Sequence, residues 1–412
     1  MSNVYTGIDL GTDSIKIIVC EKIDKNFHVL ASVSEKSSGI KNGQVDDIKS
    51  SIASCKKALR KIDEMLGIKI TKAIVAVPPT NCQMDIVVGS TNVIDSDEID
   101  GEDIVNVLKD SLVGHIHDDY EIITAIPINF KVDDVDNVKD PKGMKGEILE
   151  TKVVITTLPK EPLYRILEVL KLSGVETIDV AFTSTGDYYT VKSKRIDSSV
   201  GAIINIGELS TNVSVFNKGI QIKNSSIPVG SRSVDNDISY IFKTNNEDSR
   251  KLKEDFSVSM QSIADENEHY DIIKKSGEKK EISQVSISKV VEARIDEILK
   301  LSKNEIKNLT KREISYIIIT GGLSELAGFQ YIVDENFGTI AKVCNITTMG
   351  VRHNKYSSVL GITKYFDDKL SLRGKSYNML SDEDIRNLIS TQQKTVSNDN
   401  IINRVFGHFF DN

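Results

Sequence analysis

Apolar and polar positions fall into blocks that predict an α/β chain. Residues 4–10 and 15–21 are strand-like apolar runs joined by a Gly-Thr-Asp-Ser turn, and residues 27–35 offer a third strand. The spacing then changes: Ile48, Ile52, Cys55, Leu59, Ile62 and Leu66 recur every three to four residues, the period of one helical face. Residues 74–77 read as a buried strand closed by Pro78-Pro79. From 81 to 158 the pattern predicts short strands at 86–88, 122–128 and 152–157 around a helix at 101–112. The acidic stretch 133–140 predicts a solvated loop.

A second unit echoes the first. After a helix at 161–172 and a strand at 177–180, residues 200–206 and 211–216 form another strand pair around a polar turn. Strand–polar turn–strand therefore heads each half. Residues 233–310 predict mainly helix, with Ile287, Val290, Val291, Ile295, Ile298, Leu299, Leu301 and Ile306 in helical period, and the charged run 274–281 reads as a surface loop. A strand at 315–320 leads into Gly321-Gly322. Beyond about residue 370 the chain turns polar, with one short helical candidate at 382–389 inside a Ser- and Asn-rich tether.

Length and charge narrow the class. The 412 residues suggest two to three domains, and a net charge of −8 argues against nucleic acid as a partner, since that needs a basic face. Cys20, Cys55, Cys82 and Cys344 are scattered, which points to neither a zinc cage nor a disulfide framework and fits a reducing cytoplasm. The start carries no leader pattern and no apolar run approaches the ~20 residues that span a bilayer, so the chain is not expected to cross a membrane. His115 and His117 beside Asp118 and Asp119 read as a loop rather than a metal site, and Cys20 and Cys344 as core thiols.

Three turns carry candidate chemistry. In the first, Asp9-Leu10-Gly11-Thr12-Asp13-Ser14-Ile15-Lys16, backbone N–H groups and the Thr12 and Ser14 hydroxyls can face a phosphate. Asp9 can orient water around Mg2+, a hard cation that keeps much of its hydration, and Lys16 can reach a terminal phosphate. The second, Asn205-Ile206-Gly207-Glu208-Leu209-Ser210-Thr211, occupies the matching place in the other half. The third, Thr320-Gly321-Gly322-Leu323-Ser324, ends an apolar strand, where glycines permit close approach of a flat base or ribose. Each alone is also explained as a plain turn; their order and separation make the set informative.

With these residues the chain resembles the actin, sugar-kinase and heat-shock-chaperone ATPase superfamily. Three segments select one branch, the bacterial cell-division protein FtsA: Gly39-Ile40-Lys41-Asn42-Gly43-Gln44-Val45-Asp46-Asp47-Ile48, Ile126-Pro127-Ile128-Asn129-Phe130-Lys131-Val132-Asp133, and Asp140-Pro141-Lys142-Gly143-Met144-Lys145-Gly146. Ile227-Pro228-Val229-Gly230 with Asn236-Asp237-Ile238 is similar to the same family. The resemblance implies an actin-like two-domain ATPase fold of duplicated ribonuclease-H-like halves. Its parts would be subdomain 1A (1–80 and 163–198), an inserted subdomain 1C (81–162), 2A (199–232 and 313–370) and 2B (233–312), then a linker (371–399) and an amphipathic helix (400–412).

It also implies ATP and Mg2+ as cofactors. Asp9, Gly11, Thr12, Ser14 and Lys16 would serve one side of the phosphates, and Gly207, Ser210 and Thr211 the other. Lys253, Gly321, Gly322, Leu323 and Ser324 would hold the adenosine. Three departures bear on this. FtsA proteins commonly carry Asp-x-Gly-Gly-Gly-Thr/Ser in the second phosphate loop; here Asn205 stands for the Asp and Glu208-Leu209 for two glycines. Arg250 stands where a Glu is expected three residues before Lys253, and Leu323 replaces a third glycine. Nucleotide binding with weak or absent hydrolysis is the expectation, and no catalytic residue is assigned.

The partners implied are the C-terminal peptide of FtsZ, further copies of the chain in actin-like filaments, other division proteins and inner-membrane lipids. Arg294 and Glu297, at i and i+3, can engage the charged peptide together. Ile401, Ile402, Val405, Phe406, Phe409 and Phe410 fall within one half of a helical wheel, the pattern of a helix lying in the membrane interface. The expected role is an adaptor on the cytoplasmic face of the membrane at the division site, tethering FtsZ. A small-molecule kinase of the same superfamily, or a chaperone-type ATPase, is the alternative.

Overall fold

The computed structural model describes residues 3–24, 26–94, 98–115, 117–273, 279–372 and 375–388. The chain opens with β1 (Asn3–Leu10), β2 (Ser14–Ile23) and β3 (Asn26–Lys36), an antiparallel meander whose first two strands are buried along most of their length. A two-residue pair, β4 (Ile40–Lys41) and β5 (Gln44–Val45), leads into α1 (Ile48–Leu66). Asp47 caps α1 by accepting from the Lys49 amide, and Cys55, Ala58, Leu59, Ile62 and Leu66 on its apolar stripe are buried. β6 (Lys72–Val77) then runs parallel to β1.

The inserted segment forms its own sheet from β7 (Gln83–Asn92), α2 (Gly101–Asp110), β8 (Tyr120–Val132), β9 (Val135–Val138) and β10 (Ile148–Pro159). Its strand order is β7-β10-β8-β9. Val107 of α2 covers one face beside Phe130 and Leu149. The three long strands extend well past the short runs the sequence suggested. The acidic stretch is a hairpin arm rather than a solvated loop, with Val135 opposite Val132 and Val138 opposite Phe130. Asp133 turns the chain at φ 49°, and its carboxylate accepts from the Glu147 and Ile148 amides at 3.0 and 2.8 Å. Its acid closes the turn.

Next come α3 (Lys160–Leu172), β11 (Glu176–Phe182), α4 (Thr183–Val191) and a short α5 (Lys194–Asp197). β11 completes a five-stranded sheet, β11-β6-β1-β2-β3. The second half repeats the plan. β12 (Val200–Ile206), β13 (Thr211–Asn217) and β14 (Ile220–Ile227) form a meander. α6 (Ser231–Phe242), α7 (Asn246–Lys251), β15 (His269–Ile273), β16 (Lys279–Ser283) and α8 (Gln284–Leu309) follow. β17 (Tyr316–Thr320), α9 (Phe329–Phe337), β18 (Ala341–Val343) and α10 (Ser357–Leu372) close the half. The sheet order is β14-β13-β12-β17-β18, again a meander joined by two parallel strands. The mainly helical region thus contains a hairpin, and residues 279–281 of the expected surface loop lie in β16 because Ile282 and its neighbour Ile272 are buried.

Helices α4 and α10 cross between the two sheets at Gly186 and Gly361. A Cβ on Gly361 would overlap the Gly186 carbonyl, and one on Gly186 would overlap the Ser358 carbonyl. The two backbones touch directly. After α10 the chain does not run free at once: the Met379 amide donates to the Val4 carbonyl at 3.0 Å, and Met379, Leu380 and Leu388 are buried against the first half. Any tether therefore starts beyond Leu388. No described helix is long and apolar enough to cross a membrane. The expected amphipathic helix at 400–412 lies outside the described residues.

Candidate functional site

A cleft of about 1020 Å3 separates the halves, and both polar turns line it. The β1–β2 hairpin sets Asp9 opposite Lys16, and the Lys16 ammonium donates to the Asp9 carboxylate at 3.0 Å and to the Ser14 carbonyl at 3.3 Å. Gly11, Thr12, Asp13 and Ser14 line the same wall. The Gly43 amide donates to the Thr12 hydroxyl at 3.0 Å, pinning the turn.

Across the cleft, β12 and β13 pair Asn205 with Asn212, and Gly207, Glu208, Leu209 and Ser210 face inward. Glu208 is held by Arg232, so its charge is neutralised where it stands. The amides of Thr12, Asp13, Glu208 and Leu209 have no hydrogen-bond partner among the described residues. Two facing turns with free amides, flanked by cations, are a donor set that suits an anion. A phosphate fits that chemistry, and the Asp9 carboxylate lines the cleft beside it.

Gly321 holds φ 99° and presses on Ile206: a Cβ there would overlap the Ile206 carbonyl, so any other residue would push the third turn off the second. Gly322 and Leu323 line the cleft, Gly322 with open space where a Cβ would stand. Two expected ligands do not line it. Thr211 is fully buried, its hydroxyl donating to the Val229 carbonyl at 2.8 Å, because the first residue of β13 turns its side chain inward. Ser324 is buried too and donates to the Gly321 carbonyl at 2.8 Å, closing the turn from behind.

Lys253 lines the cleft on a π-helical turn, Leu252–Phe256, and its ammonium is committed to Asp235 at 2.7 Å with both side chains buried. Arg250 reaches across to Asp13 of the first turn and also pairs with Glu254 at 2.8 Å. Burial raises the Asp13 carboxyl, but the Arg250 bond and charge outweigh it and carry the group below its ordinary range.

Sequence reasoning missed two groups described here. Lys355 lines the cleft from a 3-10 turn; burial first, then the like charge of Lys16, lower its ammonium. Asp187 of α4 is buried behind Asn205 and accepts from the Asn205 amide at 2.7 Å and from the Ser357 and Ser358 hydroxyls at 2.6 and 2.7 Å. Burial pushes its carboxyl up to about 6, with the nearby Asp9 adding to the rise. No spacing rule reaches either residue, since each comes from an element remote in sequence from the turns. Cys20 and Cys344 are buried core thiols, burial raising each to about 12.

Away from the cleft, Arg294 of α8 pairs with Glu297 and also grips Asp237 of α6 with two nitrogens, at 2.6 and 3.0 Å. Glu297 keeps 51% of its side chain exposed.

Comparison with known proteins adds lineage. A family model described as cell division protein FtsA matches residues 202–361, and one described as the SHS2 domain inserted in FtsA matches residues 81–157; together they span more than half of the chain. Among curated relatives, cell division protein FtsA of Enterococcus hirae is 29% identical over 88% of this chain and 83% of its own length. The FtsA of Bacillus subtilis is 26% identical over 91% and 86%. Among solved structures, the PilM-PilN type IV pilus biogenesis complex aligns at TM-score 0.61 with 11% identity, over 90% of this chain and 99% of that one. MreB5 of Spiroplasma citri bound to ADP aligns at TM-score 0.55 with 13% identity, over 90% and 98%.

Proposed function

Because the chain belongs to the family of the cell division protein FtsA, with an actin-like fold, we propose that it is a nucleotide-binding adaptor of bacterial division. In this reading ATP occupies the cleft. The Thr12 and Asp13 amides with Lys16 hold the phosphates from one side, and Gly207 with the Glu208 and Leu209 amides from the other. Gly322 leaves room for the adenosine while Gly321 seats the third turn against the second, and Lys253 with its partner Asp235 forms the adjoining wall. Mg2+, held through water by Asp9, would neutralise phosphate charge. The observation that supports this best is the pair of matching strand–turn–strand motifs whose turn residues, their amides unpartnered among the described residues, line one cleft.

Hydrolysis should be slow. Asn205 is neutral where the family commonly has a carboxylate, and losing a water-orienting base typically removes about 10²–10⁴-fold in rate. The division role follows the family: self-association into filaments, capture of the FtsZ C-terminal peptide at the α8 face, and attachment to the inner membrane through residues 401–410.

Isothermal titration of the full chain with ATP, with and without Mg2+, tests the nucleotide reading. One site per chain, strengthened by Mg2+, is expected. Absence of binding in a folded chain overturns it.

A further inference from the structure

Asn205 is tied to a carboxylate from another element. Its amide nitrogen donates to Asp187 at 2.7 Å and lies 3.4 Å from the Ser358 hydroxyl. Ionised Asp187 can only accept, so it selects one of the two orientations that an Asn side chain can take. With the nitrogen turned toward α4, the Asn205 carbonyl oxygen is the end left for the cleft that Asn205 lines. Asp187 is only 2% exposed and is held by two further donors, Ser357 and Ser358 of α10, so the acceptor is fixed from three sides.

We infer that Asp187 is a positioning residue for the nucleotide cleft: it fixes the Asn205 amide with its carbonyl oxygen toward the phosphates, and this makes positions 187 and 205 an interdependent pair. The inference rests on the nucleotide reading of the cleft. Its physical content is charge bookkeeping within one hydrogen bond. Restoring an Asp at position 205 alone would set two carboxylates in contact, which cannot both ionise there. The loss of the carboxylate at 205 and the presence of one at 187 therefore belong together. Exchanging them keeps the contact sound: an Asn at 187 can accept from Ser357 and Ser358 through its oxygen and donate its amide to an Asp at 205.

The test is a double-mutant cycle on the full chain, comparing the natural protein, Asn205→Asp, Asp187→Asn and the exchanged pair. ATP affinity with Mg2+ is measured by titration, and thermal unfolding is followed without nucleotide. Asn205→Asp is expected to weaken ATP about tenfold or more, since a carboxylate pair faces the phosphates. Asp187→Asn frees the Asn205 amide to turn its nitrogen to the cleft and should also shift affinity. The exchanged pair should return to within about threefold of the natural protein, a coupling between contacting residues. Single effects that simply add in the exchanged pair overturn the inference. So does coupling seen in unfolding while ATP affinity stays constant throughout, because that makes Asp187 structural only. If the natural chain itself binds no ATP, the nucleotide reading fails; if it binds and the exchange fails to restore, only this inference does.

Discussion

At neutral pH the Asp187 carboxylate is ionised in a place that resists charge. Burial raises its folded-state value to about 6, while an unfolded Asp sits near its ordinary value of about 4. Between those values the folded chain holds a proton that the unfolded chain has released. The stability due to this group is therefore fully present below about pH 4 and is lost as pH rises through about 6, by roughly 3 kcal/mol at most. Asp187→Asn removes that slope. Denaturant unfolding at pH 4.5 and at pH 7.5 should show the variant gaining relative to the natural chain at the higher pH, by up to about 2 kcal/mol; parallel behaviour at both would contradict the assignment. Asp187 also shows where sequence reading stopped. Asp9, Gly11, Lys16, Gly207 and Gly321 sit at turns whose local pattern announces them, whereas Asp187 is one acid in an undistinguished helix. Its meaning depends on Asn205, eighteen residues on in sequence and on another element. Thr211 and Ser324 lie next to the right turns in sequence, but the alternation of a strand and the closure of a turn point their hydroxyls inward.

Elements were more legible than side chains, because a hydrophobic period repeats over many residues and contacts do not. The first meander, the β12–β13 pair and α1 follow directly from it, while β14 does not. Among the elements that escaped, β9, β16 and α4 have one-sided or borrowed burial and too few apolar positions to announce themselves; α9, β18 and α10 went unassigned as well. The α4–α10 crossing gives the sharpest prediction at this scale. Gly→Ala inside a helix ordinarily stabilises by roughly 0.5–1 kcal/mol. At Gly361 the added methyl would enter the Gly186 backbone, so Gly361→Ala should reverse that sign and destabilise by about 1–3 kcal/mol. A higher melting temperature for this variant would refute the crossing geometry. The α6–α8 contact separates two roles. Arg294→Ala leaves Asp237 without its two-point partner and should cost roughly 1 kcal/mol of stability. Glu297→Ala, on the exposed side, should change stability by no more than about 0.5 kcal/mol and still weaken binding of the FtsZ C-terminal peptide. Unchanged peptide affinity in Glu297→Ala, measured by fluorescence anisotropy, would remove this face from the FtsZ proposal.

For the whole molecule, the repeated sheet plan builds the cleft, and ties join the halves: Arg250 to Asp13 across the cleft, and the Asn224 amide to the Pro79 carbonyl at 3.2 Å outside its lining. The docking of residues 377–388 moves the start of any tether to Leu388, next to the first half, leaving twelve residues, 389–400, before the apolar arc. Six apolar side chains there, at about 1.5–3 kcal/mol each on full burial, give a gross gain on the order of 10 kcal/mol. Ordering the backbone opposes this at about 1–2 kcal/mol per residue, partly offset by interfacial hydrogen bonds. With Arg404 the one Lys or Arg of residues 401–410, attraction to anionic lipid adds little, and a single tail should bind about as weakly as one marginal lipid anchor. Side-by-side copies in a filament would hold many tails at one surface. Later insertions then become intramolecular, and avidity can exceed single-tail affinity by roughly 10²–10⁴. Monomers should therefore sediment weakly with liposomes and filaments firmly, both with little salt dependence, while Phe406→Glu, which sets a charge in the apolar arc, abolishes both. Equal, tight binding by an assembly-defective monomer would break the coupling between assembly and attachment, even with the tail confirmed as the anchor.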